Sequence, residues 1–418
     1  MPVSLIATCA IAAAAAAGVV IRPFRLPEAV WAVAGALLLV VLGLLTPRDA
    51  WTGIAKGGDV YFFLVGMMLL AEVAREERLF DWLAAIAARA AKGSPGRLFL
   101  LIYGVGTIVT AFLSNDATAV VLTPAVAAVM RTAEVERPLP YLLICAMIAN
   151  AASFVFPISN PANLVIYGGH MPPLLEWLPL YLLPSAASIL VTYAMLYWTQ
   201  RKALRTPIAH AVPIPELPRG GRIAALGIAV TTVVLLAASY LDWRLGLPTA
   251  LCGAATAMVV LLREWKGPWK TLKHVSWSVL PLVAGLFVIV EALDQAGLIA
   301  ALRALLDEVA QSSVAAATWS TGIAVAAASN LLNNLPVGLI AGTTVQSTSV
   351  APQVTGAVLI GVDLGPNLSV TGSLATILWL IALRREGQHI LSLDFLKLGA
   401  LIMPPALIAA IGAMLLVS

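Results

Sequence analysis

Charge is what this chain has least of. Only 11% of its 418 residues are charged, while 61% are hydrophobic and the mean hydropathy is +0.95. A soluble domain carries about 25% charged residues, so most of this surface must face something apolar. Cysteine is equally scarce. Cys9, Cys145 and Cys252 lie far apart in apolar segments with no CxxC or metal-spaced pair, which excludes a disulfide framework or thiolate cluster and leaves small packing residues. No GxxxxGK[ST] loop is present, so the chain does not itself hydrolyse ATP. His170, His210, His274 and His389 are read as loop residues that make no cluster. With no His pair or nucleophile–base set inside the apolar runs, neither an enzyme nor a resident cofactor or metal is expected. The net charge of +4 points to no nucleic acid, because the basic residues sit in short loops between hydrophobic runs. No basic n-region precedes residues 3–21, so that run reads as a first span rather than a cleaved signal peptide.

What the chain has instead is runs long enough to cross a bilayer, about 20 apolar residues each. Full crossings read as 3–21, 28–46, 59–75, 140–169, 178–199, 222–241, 247–262, 277–293, 355–383 and 395–417. Two further apolar segments, 97–131 and 314–346, are too long for one crossing. Polar residues interrupt each at its middle, Ser114-Asn115-Asp116 in the first and Ser329-Asn330 with Asn333-Asn334 in the second. Both read as re-entrant hairpins. With the N-terminus outside, 21 of the 25 basic residues fall in the segments left inside. The outer segments hold only Arg48, Lys56, Arg244 and Arg303. That asymmetry follows the positive-inside bias and predicts ten crossings with both termini outside. Trp51, Tyr61, Trp177, Trp243 and Trp277, near span ends, read as belt anchors.

The stretch 200–221 carries Arg201, Lys202, Arg205, Arg219 and four prolines, and reads as a linker between halves 1–199 and 222–418. A shift of 219 lays Leu64-Val65-Gly66-Met67 through Glu72 over Val283-Ala284-Gly285-Leu286 through Glu291. It also lays Leu113-Ser114-Asn115 over Leu332-Asn333-Asn334. Farther on, a shift of 213 sets Asn150 against Asp363 and Asn160 against Ser373. Five crossings per half is an odd number, so the second repeat is inverted. Such transporters bind substrate near the midplane, where broken helices and hairpin tips expose backbone dipoles.

Four elements should therefore converge. The first tip is Ser114-Asn115-Asp116, then Ala117-Thr118. The first broken helix carries Asn150 and Pro157-Ile158-Ser159-Asn160-Pro161-Ala162-Asn163, whose prolines free carbonyls. The second tip runs Asn330 to Pro336. The second broken helix is Asp363-Leu364-Gly365-Pro366-Asn367, then Thr371-Gly372-Ser373 and Thr376. A central Asp costs about 2.5–3.5 kcal/mol on insertion scales. Asp116 and Asp363 are the aspartates placed at membrane depth, with no Lys or Arg beside them. Such carboxyls can exchange protons, although a neutral Asp capping a broken helix accounts for them too. Asn, Ser and Thr without a cation suit a neutral polyhydroxyl solute or a cation; helix N-termini leave an anion open. Glu72 and Glu291 hold matching places, either as participants or as residues snorkelling to water.

At these residues the chain resembles the ArsB arsenite efflux permeases, within the ion transporter superfamily. The resemblance rests on Leu113-Ser114-Asn115-Asp116 leading to Leu122-Thr123-Pro124, on Asn333-Asn334-Leu335-Pro336, and on Gly361 to Asn367 running into Thr371-Gly372-Ser373-Leu374-Ala375-Thr376-Ile377-Leu378-Trp379. Sodium-coupled dicarboxylate carriers of the same superfamily carry Ser-Asn-Thr at both tips, whereas the tips here read Ser-Asn-Asp and Asn-Asn-Leu. The resemblance implies an all-α polytopic protein of a bacterial inner membrane, with an elevator-like transport domain moving against a scaffold. It implies export of arsenite and antimonite driven by proton antiport, in some members with a separate ATPase subunit. Arsenous acid is a neutral triol near neutral pH. Asn115, Thr118, Asn160, Asn163, Asn334, Ser373 and Thr376 are the expected substrate ligands, and Asp116 and Asp363 the proton carriers. The alternatives are a sodium/proton antiporter or another anion or solute carrier.

Overall fold

The computed structural model describes residues 3–168, 171–210, 212–265 and 267–417. Among them the fold is helical and contains no strand. The first half runs α1 (Val3–Ile21), α2 (Glu28–Val41), α3 (Pro47–Lys56), α4 (Gly58–Glu76), α5 (Leu79–Ala90), α6 (Pro95–Phe112), a π-helix at Ala117–Leu122, α7 (Thr123–Thr132), α8 (Leu139–Ala151), α9 (Pro161–Tyr167) and α10 (Leu174–Gln200). The second half runs α11 (Arg219–Tyr240), α12 (Gly246–Arg263), α13 (Pro268–His274), α14 (Val279–Gln295), α15 (Leu298–Ser312), α16 (Val314–Leu332), α17 (Asn334–Gln346), α18 (Pro352–Leu364), α19 (Leu374–Arg385) and α20 (Ser392–Leu416).

In hydrocarbon a backbone must satisfy its own hydrogen bonds, which is why apolar runs become helices. Their starts are set locally. Thr46 accepts from the Asp49 amide ahead of Pro47, Ser94 caps α6 ahead of Pro95, and Ser313 caps α16, the side-chain oxygen serving an amide with no helical partner. By length and composition six described helices can cross a membrane, and up to eight if each bent pair counts as one span. The pairs are α3 with α4, bent by 48°, and α13 with α14, bent by 41°. Several expected crossings are divided or shortened. Residues 140–169 become α8 and α9 around an irregular stretch, 355–383 become α18 and α19, and 28–46 holds the 14-residue α2. Conversely, α6 is by itself long enough to cross, although 97–131 was expected to be one hairpin.

Helices of the two halves interlock. α4 packs on α12, α2 on α14 and α10 along α20; within the second half α16 packs along α18. Glycine permits the closest approaches. A Cβ at Gly66 would fall onto the Thr249 backbone of α12, one at Gly253 onto Gly66 itself, and one at Gly285 onto the Ala32 backbone of α2. Small residues at such crossings let helix backbones meet, where lipid supplies no hydrophobic drive between helices.

One expected belt anchor is misplaced. Trp177 is fully buried, its indole N–H donating to the Val155 carbonyl at 3.2 Å and its ring against Tyr167 and Tyr181. The break between α8 and α9 leaves a carbonyl that needs a donor, and Trp177 supplies it. Trp51, Trp243 and Trp277 are exposed. Tyr61 is half-buried and donates to the Ile54 carbonyl. The cysteines are free, with Cys145 buried.

Candidate functional site

Each helix break carries its own fastenings. At the first tip, Ser114 Oγ accepts from the Ala117 amide at 3.1 Å, and Thr110 and Thr118 share a hydroxyl hydrogen bond of 2.8 Å. Ser159 donates to the Ala111 carbonyl, tying the first break to this tip. Within that break, Asn160 caps α9 by accepting from the Ala162 amide at 3.0 Å. Asn163 Nδ2 lies 3.0–3.3 Å from the carbonyls of Ser153, Phe156 and Pro157. Two of these, Ser153 and Pro157, lie four residues before Pro157 and Pro161 and are the carbonyls that the prolines free.

At the second tip Asn333 caps α17 from φ +75, ψ +150, a strained backbone conformation that residues with a side chain rarely adopt. The Asn334 backbone amide donates to the Gly372 carbonyl at 2.9 Å. Asn330 Nδ2 reaches the Ala326 and Gly365 carbonyls, and its Oδ1 accepts from Ser369. Ser373 caps α19 by accepting from the Thr376 amide.

The two broken helices are joined to each other. Asn150 Nδ2 donates to Asn367 Oδ1 at 3.0 Å, and Asn367 Nδ2 to the Met147 carbonyl at 2.9 Å. Asn160 Nδ2 donates to Asp363 Oδ1 at 2.7 Å. Asp363 is fully buried, and its Oδ2 meets no donor among the described residues. A buried amide left without a partner costs about 1–3 kcal/mol. These reciprocal bonds therefore fix the two breaks against each other.

The tips and breaks meet around a small cavity of about 30 Å³. Its polar wall is Asn115, Asp116, Asn160, Asn334 and Ser373; its opposite wall is apolar, Val60 and Leu64 from α4 with Val279 and Val283 from α14. No Lys, Arg or His forms an ion pair with Asp116 or Asp363 among the described residues. The first turns of α17 and α19 face the cavity through Asn334, Leu335, Ser373 and Leu374, so the positive ends of two helix dipoles oppose the Asp116 carboxyl.

The structure thus brings five of the nine singled-out residues to one cavity. The other four stand behind its wall. Thr118 bonds Thr110, Asn163 closes the first break, Thr376 joins Ser373 and Asn150, and Asp363 reaches the wall through Asn160. Asn150, Asn330 and Asn367 fasten the frame, and their signal was present as lone amides in apolar runs. The apolar wall carried no such signal, because Val and Leu look alike on every span. Glu72 and Glu291 lie away from the cavity, paired with Arg75 and Lys56. Of the histidines, His170 lies outside the described residues. His274 ends helix α13 rather than a loop, beside Glu72 and Glu76; its place was hidden by about 200 residues of sequence separation.

Comparison with known proteins extends along the whole architecture. The family model described as citrate transporter matches residues 10–362. The arsenical pump membrane protein of Escherichia coli is 27% identical over 403 residues, covering 91% of this chain and 92% of that protein. The protein of the same description in Yersinia enterocolitica is 27% identical over 397 residues, covering 91% of each. An uncharacterised transporter of Mycobacterium tuberculosis is 26% identical over 403 residues, covering 93% of each. Among solved structures, the YdaH transporter of Alcanivorax borkumensis superposes with a TM-score of 0.54 at 15% identity, over 91% of this chain and 87% of that one. MtrF of Neisseria gonorrhoeae, described within a class of antimetabolite efflux pumps, gives 0.53 at 14%, over 90% and 83%. These two likenesses concern the fold. With the family model spanning most of its length and transport proteins aligned nearly end to end, the chain belongs to the citrate transporter family and is a multi-pass membrane transporter.

Proposed function

We propose that this transporter exports arsenite, and with it antimonite, from the cytoplasm in exchange for protons. The observation that carries the reading is the cavity's polar wall, in which three amides and the Ser373 hydroxyl accompany a single carboxyl and no cationic side chain is present. A neutral triol can be held there by hydrogen bonds alone, donors and acceptors both being supplied by asparagine. Asp116 carries the proton at the cavity, and Asp363 carries it behind Asn160. The relatives described as arsenical pumps support the same substrate.

The remaining features belong to the same proposal. Ten crossings with two re-entrant hairpins form inverted halves 1–199 and 222–418, joined by the linker 200–221, with both termini outside a bacterial inner membrane. The tips and broken helices move as a transport domain against a scaffold containing α4 and α14. Val60, Leu64, Val279 and Val283 support this motion, since side chains without polar atoms form no hydrogen bonds that must break as the opposite wall slides past. A separate ATPase subunit is an added expectation of the resemblance.

A second reading, an anion carrier, is favoured by the two helix N-termini at the cavity. The third is a sodium/proton antiporter. Arsenite uptake into everted vesicles under an imposed pH gradient separates them. Proton-driven arsenite uptake that citrate does not compete with supports the proposal. Collapse of the gradient on adding sodium, with no arsenite response, replaces it with the antiporter.

A further inference from the structure

The end of α4 remote from the cavity carries a set of side chains that the transport reading does not use. Glu72 and Glu76 are one turn apart on α4 and therefore share a face. They lie about 12–18 Å along the helix axis beyond Leu64, at 1.5 Å per residue. The short helix α13 lies against them. Thr271 Oγ1 donates to Glu76 Oε2 at 2.6 Å, and His274 Nδ1 lies 4.0 Å from Glu72 Oε1. One oxygen from each glutamate and one His274 nitrogen all lie within 4.8 Å of one another.

We propose that Glu72, Glu76 and His274 bind a divalent transition-metal ion of the zinc type, clamping α13 onto the end of α4. Three details support it independently of the clustering. Glu76 Oε1 is a buried atom with no hydrogen-bond partner among the described residues, and such an oxygen calls for a donor or a cation. His274 Nδ1 is 2.8 Å from the Lys270 carbonyl. The same Nδ1 is the nitrogen 4.0 Å from Glu72 Oε1, so the Lys270 contact holds the ring beside the carboxylates and is exchanged for the metal when Nδ1 ligates. One nitrogen and two carboxylate oxygens match zinc and its neighbours better than magnesium or calcium, which take oxygen. Ligands about 2.0–2.2 Å from a tetrahedral ion sit about 3.5 Å apart, so the side chains close by about an ångström. The His274 side chain is 50% exposed, which leaves an entry path. The ion displaces Arg75 from one of the Glu72 oxygens it now holds.

The other half shows what a set without this capacity looks like. At the positions matched by the 219 shift, Glu291 is followed by Gln295 rather than a second carboxylate, and the facing group is Lys56 at 2.6 Å. A lysine there fills the place with a fixed cation and offers no lone pair.

The test uses the full-length protein, free of any histidine tag, in detergent micelles. Zn2+ is titrated by calorimetry, with melting temperature followed in parallel. The expected result is one Zn2+ per chain, a raised melting temperature, and affinity weakened at least about tenfold by either His274→Ala or Glu76→Gln; loss of an outer partner alone costs about 10–100-fold. A variant replacing His170, His210 and His389 by Ala binds as the unmodified protein does. Melting in the presence of chelator shows whether the variants remain folded. As a measurement that needs no variant, Co2+ bound to the unmodified protein gives visible ligand-field bands of low-coordinate N/O ligation. Absence of stoichiometric binding, equal binding by the His274→Ala and Glu76→Gln proteins, or a Co2+ spectrum of the free aquo ion overturns the proposal.

Discussion

The polar segments after α6 and α16 are matched by the 219 shift yet are built differently. The first puts a carboxyl, Asp116, into the cavity and is followed by a π-helix at Ala117–Leu122. The second puts in only the amide Asn334 and is bound down on several sides, Asn330 and Asn333 reaching the backbone of the second break. The aspartate of the second half, Asp363, is set behind the wall and held by Asn160. The first half thus presents its carboxyl at the cavity, and the second keeps its own behind the wall, bonded to Asn160. π-turns within α-helices recur at functional sites, and here the turn follows the tip that bears the carboxyl.

This division can be broken most sharply at Asp116. Asp116→Asn keeps size and polarity but removes the exchangeable proton, and uphill arsenite uptake into everted vesicles is expected to fall to background while the melting temperature stays unchanged. Uptake that survives with its pH dependence intact would remove Asp116 from the coupling step. Next comes the glycine crossing. Gly66→Leu forces α4 off the α12 backbone and is expected to cost about 3 kcal/mol, read by unfolding in mixed micelles; Gly285→Leu has an effect of the same order, since both positions meet a partner backbone. Asn160→Ala strips Asp363 Oδ1 of its donor and is expected to cost about 2 kcal/mol, more than removing a ligand from the first tip, Asn115→Ala. The smallest effect belongs to Thr110→Val, which deletes one hydroxyl pair inside the protein and lowers stability by about 0.6 kcal/mol.

How far these features were legible in the sequence depends on what each residue costs in lipid. Amides, carboxyls and prolines inside apolar runs are expensive, so Asn115, Asp116, Asn160, Asn334 and Ser373 stood out, and they do line one cavity. Side chains behind the wall, such as Asn163 and Thr376, carry the same signal, and only the coordinates separate the two groups. Val60, Leu64, Val279 and Val283 were invisible because an apolar residue costs the same facing a cavity, a helix or lipid. Trp177 reads as an interfacial ring until the break at Val155 shows what its N–H serves. The meeting of His274 with Glu72 and Glu76 needs the path of α13, which no local pattern reveals.

The interlocking of α4 with α12, and of α2 with α14, has a consequence for synthesis. When the first half leaves the ribosome, the glycine face of α4 has nothing to close on until α12 is made. Contacts this distant in the chain form late. A truncated product ending in the linker would therefore expose Gly66 to lipid or to other chains, a ready substrate for membrane proteases, and quality control can recognise an unfinished molecule by that uncovered seam.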